Sequence, residues 1–170
     1  IYELERFLKN EKITSMLIGP GSGSNRKIKE ITKLILKEVK YVVVDADALT
    51  CFRDDLKSLY KLLDKNKIIT PHLGEFNKIF PKIDKNLSSK EKVLSALKLI
   101  KSNILLKGPN TIIASYDTKI VINTHSSSEL AVIGSGDVLS GMIVSLVGMK
   151  KMSPFLAGSA AAWLHGDIAK

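Results

Sequence analysis

Four consecutive residues, Gly134, Ser135, Gly136 and Asp137, have the types and spacing to do chemistry. Two glycines around a serine let the backbone bend tightly and leave no side chain to block a ligand. The residues that follow, Val138, Leu139, Met142, Ile143, Leu146 and Val147, are apolar at helical spacing. The turn therefore opens a helix, whose first N–H groups and positive dipole end suit an anion. Asp137 at that place has two readings. It caps the helix start, or, with a phosphate on the N–H groups, it takes the proton from an attacking hydroxyl.

Other polar residues sit where strands should end. Thr14–Ile18 reads as a short strand running into Gly19-Pro-Gly21-Ser-Gly23, ahead of a helical stretch through Ile28, Ile31, Leu34 and Ile35. The loop implies close backbone approach, but its spacing is neither the dinucleotide fingerprint nor a Walker loop. Tyr41–Val44 reads as a buried strand ending at Asp45 and Asp47. Either aspartate can hold Mg²⁺ or bond nearby backbone; for Asp47 the backbone role is the expected one, and for Asp45 both stay open. Lys67–Pro71 is a further strand, followed by His72 in a turn that serves either a ligand or a helix cap. Asn103–Leu106 leads to Lys107-Gly108-Pro109-Asn110-Thr111, where a lysine at a strand end can reach a phosphate.

The elements that must position these residues follow from periodicity. Residues 2–9, 54–63 and 89–102 read as helices, 112–115 and 119–122 as a hairpin, and Pro154 starts a last helix. No repeat or linker divides the chain. The order is that of one α/β domain, with every special turn following a strand and hence gathered at one sheet edge.

The bulk numbers exclude several classes. At 170 residues and 45% hydrophobic content the chain can build one proper core. Its apolar runs fall short of the roughly 18 residues a membrane helix needs. One cysteine, Cys51, excludes an internal disulfide and suits a reducing, cytoplasmic setting. The net charge of +9 comes from lysines scattered along the chain, which argues against nucleic acid and for a solvated surface that attracts a polyanionic small molecule.

Taken together, Ile-Gly-Pro-Gly-Ser-Gly, Val-Asp-Ala-Asp-Ala-Leu, Thr-Pro-His-Leu-Gly-Glu-Phe, Leu-Lys-Gly-Pro-Asn-Thr, Gly-Ser-Gly-Asp-Val-Leu-Ser-Gly and Trp-Leu-His-Gly occur here in one order. From about Met16 onward the chain resembles the ADP/ATP-dependent NAD(P)H-hydrate dehydratases of the ribokinase-like superfamily, the carboxyl-terminal half of bifunctional NAD(P)H-hydrate repair enzymes. The resemblance implies a three-layer α/β sandwich with a mostly parallel sheet. It implies ADP-dependent removal of water from the S epimer of hydrated NADH or NADPH, releasing AMP and phosphate, with Mg²⁺ on the donor phosphates and ADP or ATP as co-substrate. Carried over residue by residue, Asp137 is the base. Gly134, Ser135 and Gly136 cradle the phosphoryl group, with Gly136 also touching AMP. Lys107, Gly108, Pro109, Asn110 and Thr111 form the nucleotide loop, and Gly21, Gly23 and His72 contact the hydrate; Glu75 is given no role. A related small-alcohol kinase, acting on a thiazole or hydroxymethylpyrimidine, shares the same turn and aspartate, and an inactive remnant of the dehydratase is a third reading.

Two departures accompany the resemblance. The family's Gly-Asn-Pro-Gly-Met-Ala-Thr-Gly-Gly type of run is replaced by Ser126-Ser-Ser-Glu-Leu-Ala-Val-Ile-Gly134, which sets β-branched Ile133 in the turn and Glu129 beside the expected phosphate. The family's domain also begins with further strands and a glycine-rich loop ahead of the position of Ile1. Residues 1–170 are thus expected to form a single, N-terminally truncated domain with an exposed sheet edge. Family habit further implies a homo-oligomer and an epimerase domain ahead of this one.

Overall fold

The computed structural model describes residues 1–125, 130 and 132–168. Its elements run α1 (Tyr2–Asn10), β1 (Ser15–Ile18), α2 (Arg26–Glu38), β2 (Tyr41–Val44), α3 (Ala46–Thr50), α4 (Leu56–Leu62), β3 (Lys67–Ile69), α5 (Leu73–Ile79), α6 (Ser89–Leu97), β4 (Asn103–Leu106), β5 (Thr111–Ala114), β6 (Ile120–Asn123), α7 (Ser135–Lys150) and α8 (Pro154–Ile168). The six strands form one sheet in chain order. β1 to β4 are parallel, and β5 and β6 turn back as the antiparallel hairpin. This is the expected mostly parallel sheet, and β1 is the edge strand at one side.

Side-chain alternation divides the core in two. Val42, Val44, Ile69, Ile104, Leu106 and Ile112 face one layer, built by α1 to α6. Val43, Ile68, Leu105 and Ile113 face the other, built by α7 and α8. Burial on both faces is why these strands read as continuous apolar runs rather than alternating ones. α8 comes close to the sheet because its inner face is small: Ala157, Gly158, Ala161 and Ala162 are buried. A Cβ at Gly158 would lie 3.0 Å from Ile68 Cδ1.

The helices start and stop for local reasons. Asn25 caps α2 by accepting from the Ile28 N–H, and Ser88 and Glu91 cap α6 reciprocally. α6 ends at Leu97 rather than continuing to 102 as the sequence pattern suggested. The N–H groups of Lys98, Leu99 and Ile100 bond back to Ser95 and Ala96, which tightens the last turn, and Ile100 drops into the core. Cys51 is buried, and that burial pushes its thiol up to about 11, as suits an inert packing residue. None of the described helices is long and apolar enough to cross a membrane.

Phe76 is completely buried and packs on Phe80 with ring centroids 4.8 Å apart. Phe76→Ala should cost about 3–5 kcal/mol in urea denaturation, whereas truncation of half-exposed Phe7 should stay within about 0.5 kcal/mol.

Candidate active site

Parallel strands put their carboxyl ends on one edge, and that edge collects the polar turns. β1 leads into the glycine loop. Gly19, Gly21 and Gly23 all adopt positive φ, at 131°, 64° and 74°. Ser22 donates from both its N–H and its hydroxyl to the Gly19 carbonyl, at 3.1 and 2.7 Å. The Gly23 N–H donates to Asp47 Oδ2 at 2.8 Å. Asp47 thus holds the loop, which is the backbone role expected of it.

β2 ends at Asp45, whose side chain is wholly buried. Its Oδ1 accepts from Ala46 N–H at 2.8 Å and from Lys107 Nζ at 2.7 Å. Its Oδ2 accepts from Ser140 Oγ at 2.6 Å. The carboxylate therefore caps α3 and pairs with a lysine at once. Both oxygens accept from protein donors, and Lys107 adds an ion pair that neither reading of Asp45 included. Among the described residues no group of three or more metal-ligating side chains converges.

β3 delivers His72 as the N-cap of α5. His72 Nδ1 accepts from the Gly74 and Glu75 N–H groups at 2.9 and 3.4 Å, and Glu75 Oε2 accepts from the His72 N–H at 2.9 Å. This is a reciprocal capping box with histidine in the usual place of serine. The two backbone donors at Nδ1 put the proton of a neutral ring on Nε2, on a side chain that is 58% exposed. Nδ1 is used in the cap, and Nε2 lies 3.5 Å from Glu75 Oε1.

β4 ends at Lys107, which extends the sheet by one bridge to His72 and donates its N–H to the Pro71 carbonyl at 2.9 Å. Gly108 to Thr111 make the turn into β5, closed by Thr111 Oγ1 donating to the Gly108 carbonyl at 3.0 Å.

α7 closes the edge. Gly134 is its N-cap at φ 89°, with no side-chain cap bond. The Val138 N–H returns to the Gly134 carbonyl at 3.0 Å. Asp137 lies in the first turn, exposed, and is not the residue that caps the helix. Ser135 Oγ lies 3.2 Å from His165 Nε2 of α8. A Cβ at Gly136 would lie 3.2 Å from Lys107 Nζ, so the missing side chain is what admits the ammonium to the turn. Ile133 is fully exposed and does not take positive φ; Gly134 alone supplies the left-handed step in this turn. Ser126 to Glu129 and Ala131 lie outside the described residues.

The fold thus gathers the Lys107, Gly136 and His72 neighbourhood directly and sets the Gly21–Gly23 loop beside Asp47. Sequence reasoning gave no role to Ser140, Thr70, Gly19 or His165. Ser140 had a signal: a serine three residues after Asp137 in an otherwise apolar helix stands on the same face. The need for glycine at position 19 shows only in the fold, where a Cβ would overlap the Asp45 carbonyl oxygen.

Comparison with known proteins bears on this edge. Residues 2–170 match the NAD(P)H-hydrate dehydratase family. The ADP-dependent (S)-NAD(P)H-hydrate dehydratase of Neisseria meningitidis serogroup B is 34% identical over 168 residues, which are 95% of this chain and 56% of that protein. A bifunctional NAD(P)H-hydrate repair enzyme of Dictyoglomus turgidum is 34% identical over 134 residues, 77% of this chain and 26% of the other. The ADP/ATP-dependent NAD(P)H-hydrate dehydratase of Bacillus subtilis, crystallised with ATP and Mg²⁺, superimposes with a TM-score of 0.72 at 26% identity, over 92% of this chain and 56% of that one. The chain therefore spans little more than half the length of the dehydratases it matches, and it belongs to the NAD(P)H-hydrate dehydratase family.

Proposed function

We propose that this chain carries the phosphoryl-transfer half of an ADP-dependent dehydration of (S)-NAD(P)H hydrate. The observation that carries the proposal is the exposed Asp137 in the first turn of α7, beside glycines that admit the Lys107 ammonium to the same turn. A helix N-terminus and a lysine together supply stabilisation where a transferring phosphoryl group gains charge. Asp137 then faces the nucleophile rather than the phosphate.

The steps balance as follows. The hydrate hydroxyl attacks the β-phosphorus of ADP and gives its proton to Asp137. A new O–P bond forms, the bond to AMP breaks, and AMP leaves. The ring C–O bond then breaks with inorganic phosphate as leaving group, and loss of a neighbouring ring proton restores the dihydropyridine double bond. Mg²⁺, where bound, would neutralise charge on the donor phosphates. Gly134, Ser135 and Gly136 offer the N–H cradle. Lys107 supplies the mobile charge, and Gly108, Pro109, Asn110 and Thr111 line the nucleotide side. His72 Nε2, Gly21 and Gly23 meet the hydrate. ATP is the alternative donor.

His165 tunes the cradle. Burial holds its ring below the ordinary histidine range, so it stays neutral near pH 7 beside Ser135. A histidine whose folded pKa is depressed costs nothing above its unfolded value of 6.5. Below that pH the unfolded chain takes up a proton that the folded one resists, and stability falls. Between pH 7.5 and 5.5 the native protein should therefore lose more melting temperature than His165→Gln. Equal losses would mean that this histidine titrates alike in both states.

The activity itself is tested with hydrated NADH, Mg²⁺ and ADP, following the return of the reduced-nicotinamide absorbance. The expected result is an ADP-dependent rise that falls by at least about 100-fold in Asp137→Asn, with ADP affinity kept within a few-fold. A stable phosphorylated alcohol without NADH would replace this reading with a small-alcohol kinase.

A further inference from the structure

A carboxylate with no solvent contact must be compensated where it stands, because its desolvation is costly. Asp45 meets that demand with donors from separate parts of the chain. Lys107 at the end of β4 donates at 2.7 Å, Ser140 in α7 at 2.6 Å, and Ala46 at the start of α3 at 2.8 Å. Thr70, past β3, places its hydroxyl 3.3 Å from that of Ser140. The cluster thus links the ends of three neighbouring parallel strands to α7, within one turn of Gly136 and Asp137.

Burial alone does not account for this arrangement, since apolar residues of similar volume pack at least as well as a buried ion pair. Several features fix where Asp45 lies. Gly19 has no Cβ, and one there would overlap the Asp45 carbonyl oxygen. Ala46 is held at φ 45°, a conformation that L-residues avoid, and its N–H donates to Oδ1 at 2.8 Å. The beneficiary is Lys107. A lysine ammonium has three donors on a flexible stem. One donor goes to Asp45, and the head lies against Gly136.

We propose that Asp45, supported by Ser140, is a positioning residue that holds the Lys107 ammonium at the Gly134–Gly136 turn, where it meets the phosphoryl group being transferred. The inference rests on the phosphoryl-transfer reading above. Because Ser140 and Ala46 also satisfy the carboxylate, Asp45 stays compensated when Lys107 turns its remaining donors to an incoming phosphate. The pair is neutral while the site is empty, so the turn is not overcharged before the nucleotide arrives.

The test is calorimetric titration of the protein with ADP and, separately, with AMP, both with Mg²⁺. AMP lacks the phosphoryl group that Lys107 would meet. Lys107→Ala and Asp45→Asn should each weaken ADP binding by about tenfold or more and leave AMP within about threefold. The double variant should be no worse than Lys107→Ala alone, because Asp45 acts through the lysine. Asparagine can still accept from Ala46 and cap α3, and circular dichroism checks that Asp45→Asn is folded. Ser140→Ala, which leaves the charges intact, should lower ADP affinity in the same selective way but less. If Asp45→Asn does not fold, Ser140→Ala decides, and an unchanged ratio of ADP to AMP affinity there overturns the proposal. Equal losses for ADP and AMP, additive losses in the double variant, or tighter ADP binding by Asp45→Asn also overturn it. Absence of ADP binding by the native protein would instead remove the phosphoryl-transfer reading, and this inference with it.

Discussion

The ion pair between Lys107 Nζ and Asp45 Oδ1, 2.7 Å long around a fully buried carboxylate, is the contact on which the arrangement of this edge depends. The residues are 62 positions apart in sequence. They meet only because β2, β3 and β4 run parallel in consecutive order, so that their carboxyl ends share an edge. A parallel sheet requires both faces covered, and here α7 and α8 cover one of them. Covering the sheet with α7 also brings Ser140 to Asp45 and the glycine turn to Lys107. The packing that buries Val43 and Ile143 is therefore the packing that assembles the polar cluster.

The turn and the pair divide the electrostatic work. Helix N–H groups give partial charges that are fixed in direction and need no reorganisation. Lysine gives a full charge that is worth most when its stem is held. Asp137 belongs to neither set. It lies in the first turn, where a carboxylate suits the positive end of the helix dipole, and the cap position goes to Gly134 at φ 89°. Histidine takes over capping elsewhere at the same edge: His72 anchors α5 through Nδ1 and sets Nε2 3.5 Å from Glu75 Oε1.

Much of this could be read from residue types. The strand runs, the hairpin, the glycine turn before an apolar helix and the clustering of polar turns after strands all follow from period and punctuation. Asp47 behaved as a strand-end residue should. What period could not supply was partnership across long separations. Asp45 at the end of an apolar strand was legible as special, but whether it held a metal, a backbone group or a cation depended on which strand lay two places over. The partner of Ser140 appears only once α7 is laid on β2, where its hydroxyl meets Asp45. The apolar pattern overran α6 because Leu99 and Ile100 are apolar beyond its end, although only Ile100 enters the core and Leu99 stays exposed. The altered run at Ser126–Glu129 lies outside the described residues, so the fold speaks to Ile133 and Gly134 but not to Glu129.

Under the proposed reading, the same turn would serve phosphoryl transfer to an ordinary alcohol and to the hydrate alike. Everything the chain contributes under the proposed reading acts on the phosphoryl group or on the hydroxyl that attacks it: N–H groups, Lys107, Asp137. Nothing in that set acts on the carbon that later loses phosphate. For an ordinary alcohol the reaction ends at the phosphate ester, because its C–O bond has no internal push. In a hydrated dihydropyridine the ring nitrogen lies next to the carbon bearing the oxygen, and its lone pair expels phosphate once the poor hydroxyl leaving group has been replaced. Elimination is then a property of the substrate, and the enzyme's task reduces to binding that substrate with its hydroxyl in line with the donor. On this argument the residues that separate a dehydratase from a kinase belong with the Gly19–Gly23 loop and His72, on the substrate side, while the Asp45, Lys107 and Ser140 cluster serves the step that both reactions share.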